Sequence, residues 1–288
     1  MSKRAQTGRP GQARRVMNPD ENDPLFRYEY DRGSNYEQDT RLTEALSALL
    51  PEDTLVHPDQ RLFQTIHLIS EYAWCAMHYE MRRAADALRA DDDLLAAQLL
   101  ERAADLGEIT VHAVRVLLDH LPQESLLTMR ETFPENTTGL DSPGARNLRR
   151  AASALYREME SAVDRAGLHP RALIAAQGRL EPPEDGDRAP GLALVRQALL
   201  RLDGSVAGWK HYHLRMVRSQ LGGHPEAAVP VPVDVPGRSR QEPPVREDLP
   251  KSLRGHSTAG VQAMADRSLF PRLWDAVDET YRDLVPEG

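Results

Sequence analysis

Residues 61–81 read Arg61-Leu62-Phe63-Gln64-Thr65-Ile66-His67-Leu68-Ile69-Ser70-Glu71-Tyr72-Ala73-Trp74-Cys75-Ala76-Met77-His78-Tyr79-Glu80-Met81. Phe63, His67, Ser70, Trp74, Met77 and Met81 recur at steps of 4, 3, 4, 3 and 4. That spacing returns to one face of an α-helix, whereas a half-buried strand would alternate every second residue. The pattern predicts a long helix from about 58 to 89, ended by the acidic run Asp91, Asp92 and Asp93.

Outward from this stretch the same periodicity recurs. A helix is expected over about 94–121, with Leu99, Leu106, Ile109, Ala113, Val116 and His120 at helical spacing and a stop at Pro122. Another spans 145–166, with Gly167 as the stop signal. A third, over 192–221, carries Leu199, Leu202, Val206, Trp209, His213 and Met216 at steps of 3, 4, 3, 4 and 3, and ends at Gly222 and Gly223. Shorter helices are expected at 40–50 and 269–284. The stretch 129–144 reads as an ordered loop, 178–191 as a Pro, Gly and acidic linker, and 225–250 holds seven prolines. No strand pattern competes and no repeat is evident. The fold class expected is therefore all-α: a disordered tail over 1–24, then one helical-bundle domain over 25–288 with a Pro-rich insertion at 224–254. The aromatic segment 26–36 is too poor in aliphatics to form a core element and should drape over something else, such as a neighbouring subunit.

Composition agrees. Apolar residues make up 40% of the chain but aromatics only 5%, so Leu, Ala and Val must build the core. Twelve of the fifteen aromatics fall in four stretches, 26–36, 63–79, 209–212 and 270–274. The net charge of −8 argues against a nucleic-acid binder, which needs clustered Lys and Arg. Cys75 is the single cysteine, which excludes an intrachain disulfide framework and thiolate metal clusters. No apolar run reaches the roughly 20 residues of a membrane span, and the basic N-terminus lacks the apolar core of a secretory signal. A cytoplasmic protein is expected.

Chemistry-bearing candidates are few. His67 and His213 each interrupt an apolar helical face, and a histidine buried among Phe, Trp and Met needs a hydrogen-bond partner or a metal. Helical phase favours His213 over His211 as the inward residue, because its neighbours are Trp209, Met216 and Val217. His78 lies near the first face, while His169 and His224 precede prolines in loops. There is no His-Glu-x-x-His pair, calcium loop, phosphate-binding Gly-rich loop or Gly-x-Ser-x-Gly elbow. Arg130, at the start of the 129–144 loop, is suited to a bidentate grip on a carboxylate, or else is a solvated arginine paired with Glu131 or Glu135.

Three segments in consistent order resemble the tryptophan 2,3-dioxygenase superfamily. The first runs from His57 through Leu62, Phe63 and His67 to Glu71. The second holds Leu127, Thr128, Met129 and Arg130, followed by Thr138, Gly139, Leu140, Asp141 and Ser142. The third has Trp209 four residues before His213 and continues to Gly222. The resemblance covers roughly residues 40–285. It implies a tryptophan 2,3-dioxygenase-like bundle around a b-type haem, with His213 as axial ligand to the iron, Trp209 and Phe63 lining the haem site, and His67 as distal acid/base. It also implies that Arg130 anchors the carboxylate of an aromatic amino acid. Neutral imidazole is a good axial ligand, and the distal group decides what a bound oxidant does.

The superfamily's glycine- and serine-rich substrate loop is matched only by Gly255-His256-Ser257-Thr258-Ala259-Gly260, beyond the Pro-rich insertion. Ser257 and Thr258 are its candidate substrate contacts. This departure turns the expectation from ring cleavage toward the haem-dependent L-tyrosine 3-hydroxylase branch: hydroxylation of L-tyrosine to 3,4-dihydroxyphenylalanine with hydrogen peroxide, in bacterial secondary metabolism. A tryptophan-oxidising relative using dioxygen, and a non-catalytic helical haem or ligand sensor, remain open alternatives. The resemblance also implies a homodimer or homotetramer.

Overall fold

The structure, a computed structural model, describes residues 14–17, 23, 25–133, 142–177, 186–222, 262 and 265–285. The Pro-rich insertion, Ser257 and Thr258 therefore lie outside the described residues. The chain divides into two compact units, Met1–Thr65 and Ile66–Gly288, and the helix over 60–89 runs through their boundary.

The first unit begins with a hairpin. Strand β1 (Arg14–Val16) pairs antiparallel with β2 (Glu29–Asp31), Arg15 opposite Tyr30. Three residues per strand are too short for alternation to register in sequence, and β1 lies in the stretch expected to be a tail. Helices α1 (Asn35–Thr40) and α2 (Leu42–Leu46) follow. Ser34 caps α1, and Arg41, at φ 52°, turns the chain from one helix to the next. The Tyr30 hydroxyl donates to Thr43 Oγ1 at 3.2 Å, and Thr43 in turn donates to Glu37. These bonds tie the hairpin to both helices.

The second unit is helical, as expected from the periodicity. Helix α3 (Gln60–Arg89) enters it and ends at Asp91, which adopts a left-handed φ of 57°. The following helices are α4 (Asp93–His120), α5 (Gln123–Arg130), α6 (Pro143–Arg165), α7 (Pro170–Gln177), α8 (Ala189–Leu221) and α9 (Pro271–Leu284). The stop signals act locally. Asp92 caps α4 by accepting from Leu95 N, Ser142 caps α6 before a Pro at its first turn, and Gly167 takes a positive φ of 64° just after it. Among the described residues no helix is long and apolar enough to cross a membrane.

Helices α4 and α8 form the spine, and they run parallel. Gly191 abuts Asp93, Ser205 abuts Gly107, Gly208 touches Val111, and the Gln220 amide donates to Leu121 O. Each contact carries nearly the same sequence offset. Small residues make the approach possible: Ala96, Ala97, Ala103, Ala104 and Gly107 lie on the buried face of α4. The ends are fastened by polar groups. Arg188 grips both oxygens of Asp93 at 2.9 and 2.6 Å, while Gln123 and Gln220 bond across the other end at 3.0 and 2.7 Å. The expected inward face of α4 holds in part: Leu99 and Ala113 are buried and Leu106 and Val116 half-buried, but Ile109 and His120 are exposed, because the face that approaches α8 is built largely from alanines and a glycine.

Around this spine pack α3, α6 and α7. Trp74, Met77, Met81 and Leu88 of α3 join Leu148, Leu155 and Met159 of α6 and Leu192, Leu199 and Leu202 of α8 in one core. Gly144 lets α6 approach closely. A Cβ there would stand 2.5 Å from Trp74 Cβ and 2.7 Å from Glu71 Oε2. The C-terminal segment is tethered by the buried carboxylate of Asp203, which accepts from Ser268 Oγ at 2.8 Å, Leu269 N at 2.5 Å and Trp274 Nε1 at 3.0 Å.

Candidate functional site

His213 projects from the last third of α8. Its ring stacks on that of Trp209, one turn earlier, with centroids 5.0 Å apart and planes within 11°. Trp209 meets the buried Trp74 of α3 edge to face, at 5.2 Å and 87°. The three rings form a continuous aromatic run from the core outward, which restricts how the imidazole can turn. Leu214 and Met216 beside it are buried. His213 is half-buried.

Its protonation follows from this setting. Burial first, and then the nearby positive charge of His67, lower the His213 pKa from 6.5 to about 4. At neutral pH it is an uncharged imidazole with a lone pair available on one nitrogen. His211, by contrast, is exposed and turned edge-on to Tyr212.

His67 departs from the expectation of a buried histidine: it is exposed. The stripe to which it belongs passes beneath the neighbouring helices only from Trp74 onward, so Phe63 and Ser70 are half-buried while Trp74, Met77 and Met81 are buried. His67 is nonetheless near enough for its charge to act on His213. The two histidines singled out by helical phase are thus electrostatic neighbours. Phe63 lies one turn before His67 on the same helix, in the first unit.

Arg130 is the last residue of α5 rather than the first of a loop, and it is half-buried. The preceding helix goes undetected in sequence because its eight residues bury only Ser125 and Met129. Residues 134–141 lie outside the described residues. The chain resumes at Ser142, which donates to Glu71 Oε1 at 2.5 Å, while Gly144 N donates to Glu71 Oε2 at 3.0 Å. The helix that carries His67 therefore holds, one turn later, the far end of the segment that Arg130 begins. A carboxylate at a helix N-terminus is favoured both by the free N–H groups and by the helix dipole. Ser257 and Thr258 lie outside the described residues. The next described residue after them, Gln262, accepts from Arg218 Nη2 at 2.7 Å, five residues after His213 on α8.

Glu71, Trp74 and Gly144 carry the geometry of this site; Trp74 was expected on the inward face of its helix, whereas the packing of Glu71 and Gly144 against each other was not. Gly144 gives no sequence signal beyond being a glycine just inside a helix start. Cys75 is exposed and touches none of these groups in any bond the structure shows. No model of a known protein family matches the chain, and no curated protein matches it.

Proposed function

We propose that this chain is a haem-dependent oxygenase of aromatic amino acids, in which His213 would hold the haem iron and L-tyrosine hydroxylation by hydrogen peroxide is the favoured reaction. The observation that carries the reading is His213 itself: a histidine held neutral by its surroundings, fixed by a stacked tryptophan, with a second histidine close by on another helix. The donor set suits a haem. A neutral imidazole is the kind of group that ligates iron in a tetrapyrrole. Bound there, haem supplies the redox centre that activates the oxidant.

The chain's residues divide the remaining work. Trp209 sets the plane of the His213 ring. His67, exposed and a few ångströms of helix away from Phe63, holds or gives up a proton to the oxidant or to the substrate's ring substituent. Arg130 binds the amino-acid carboxylate through its planar guanidinium and so orients the ring. Glu71 keeps the far end of the Arg130 segment against α3. By the resemblance, Phe63 would line the haem site, and Ser257 and Thr258 would contact the substrate's polar end. Leu25, Phe26, Tyr28 and Tyr36 are all exposed, which supports a homodimer or homotetramer in which this segment covers a neighbouring copy.

Expression with haem supplementation followed by one absorption spectrum is the primary test. A Soret band that His213→Ala removes while the helical circular dichroism persists is expected, and a colourless, folded wild type would sink the haem reading. Product mass then decides the reaction: one added oxygen on tyrosine with peroxide indicates hydroxylation, and two on tryptophan with dioxygen indicates ring cleavage.

A further inference from the structure

Arg196 projects from α8 into the protein and is only 5% exposed. Its Nη1 donates to Gln177 Oε1 at 3.2 Å, but its Nε is buried and meets no acceptor. No carboxylate among the described residues pairs with it. Burial pushes the guanidinium pKa down, an effect that the nearby Tyr156 partly offsets. Arg188, further up the same helix, is gripped bidentately by Asp93, whereas the half-buried Arg218 resembles Arg196 in donating to a side-chain amide, that of Gln262, while its Nε is buried without an acceptor. Two acids act on Tyr156, Glu160 and Asp275; Glu160 is engaged by Arg272 at 2.6 Å, and the Arg272 guanidinium sits 6.0 Å from the centre of the Tyr156 ring. Tyr156 is half-buried, and its phenol is pushed up first by that burial and then by Glu160, so it remains a neutral O–H donor.

A buried guanidinium, a phenol and a side-chain amide therefore come together where α6, α7 and α8 meet, beside the ion pair of the exposed Arg272 with Glu160, and the buried cation has no anion among the described residues. A buried unpaired charge costs several kcal/mol, and buried polar groups in folded proteins nearly always find partners. We propose that Arg196 and Tyr156 form a binding site for a small oxyanion, a carboxylate or phosphate group of a free ligand. The site is separate from His213, which lies 17 residues further along α8, or about 25 Å at 1.5 Å per residue. It stands whether or not the haem reading holds.

The test is thermal unfolding of the full chain with inorganic phosphate or acetate, against chloride at matched ionic strength. Phosphate or acetate should raise the Tm of the wild type saturably, by about 5 °C at a hundredfold excess over the dissociation constant, and leave Arg196→Met unmoved. In chloride alone Arg196→Met should be at least as stable as the wild type, since it removes an unpaired charge. An equal response of both proteins would overturn the site. So would a loss of stability in Arg196→Met that Glu181→Gln/Glu184→Gln/Asp185→Asn reproduces without added anion, because the chain itself would then supply the partner. Tyr156→Phe keeps the guanidinium and should weaken phosphate or acetate binding about tenfold; unchanged affinity removes Tyr156 from the site.

Discussion

Replacing Gly107 with alanine tests the parallel contact of α4 and α8 where it is closest. A methyl group there would overlap Ser205 Oγ outright and stand 2.9 Å from Ser205 Cβ and 3.3 Å from Met77 Cε. Rotating the serine would relieve the first overlap but not the second, and would break the bond from its hydroxyl to Leu202 O at 2.9 Å. Helix propensity favours alanine by about 1 kcal/mol. Against that stand roughly 1–3 kcal/mol for overpacking and about 1 kcal/mol for the lost hydrogen bond. The expected net is a destabilisation of about 1–3 kcal/mol, read as a lower urea midpoint by circular dichroism at unchanged slope. Ser205→Gly removes both offending atoms, so in the Gly107→Ala background it should restore much of the loss, with a coupling of at least about 1 kcal/mol. Gly204 is the control: it is exposed, lies on the same helix as Ser205, and has nothing within 4 Å of an added Cβ. Gly204→Ala should stabilise by up to about 1 kcal/mol. If Gly107→Ala stabilises like Gly204→Ala, or if Ser205→Gly shows no coupling, the two helices do not meet as described.

In haem-free protein, the His213 pKa of about 4 against 6.5 unfolded means that the unfolded chain binds the proton first as pH falls. Stability should therefore drop between pH 6.5 and 4, by about 3 kcal/mol, and His213→Phe should flatten that part of the urea-midpoint profile. Asp203→Asn keeps an acceptor for only one side of this set, Leu269 N or the Ser268 and Trp274 pair, and turns an amide N–H against the other; it should cost about 2–4 kcal/mol while exposing the α9 segment to limited proteolysis, and undiminished protection would contradict the tether. Arg130→Ala should raise KM for the amino acid at least tenfold while kcat falls less, and an unchanged KM removes Arg130 from carboxylate binding. Phe26→Ser/Tyr28→Ser should lower the mass measured by light scattering if residues 26–36 cover a second copy, whereas an unaltered mass would place the interface elsewhere.

What was legible in the sequence followed the large side chains. The stripe through Trp74, Met77 and Met81 and the stripe through Leu199, Leu202 and Val206 set α3 and α8 in the right phase, because big aliphatic and aromatic residues dominate those buried faces. The phase of α4 was legible only in part, at Leu99 and Ala113, for the converse reason. Its approach to α8 is made by Ala96, Ala103, Ala104 and Gly107, whose value lies in what they lack, while Ile109 is exposed and carries a misleading signal. Helices α5 and α7, at eight residues each, span barely two turns and offer too few inward positions to show a period.

The polar residues of α8 extend the same logic to the sites. His213 draws notice because a titratable side chain occupies an apolar helical phase. Arg196 lies four residues after Leu192 and three before Leu199, and Asp203 four after Leu199 and three before Val206, so they break the same stripe by the same rule. Both are buried. They differ in their partners: Asp203 is satisfied by three donors from the C-terminal segment, Arg196 by a single amide. Helical phase thus identifies which polar groups are forced inward, and only the inventory of their partners separates a structural anchor from a group that awaits a ligand. By that inventory Asp203 is an anchor, while the buried Arg196 and the neutral His213 are places on α8 where a partner from outside the chain is called for.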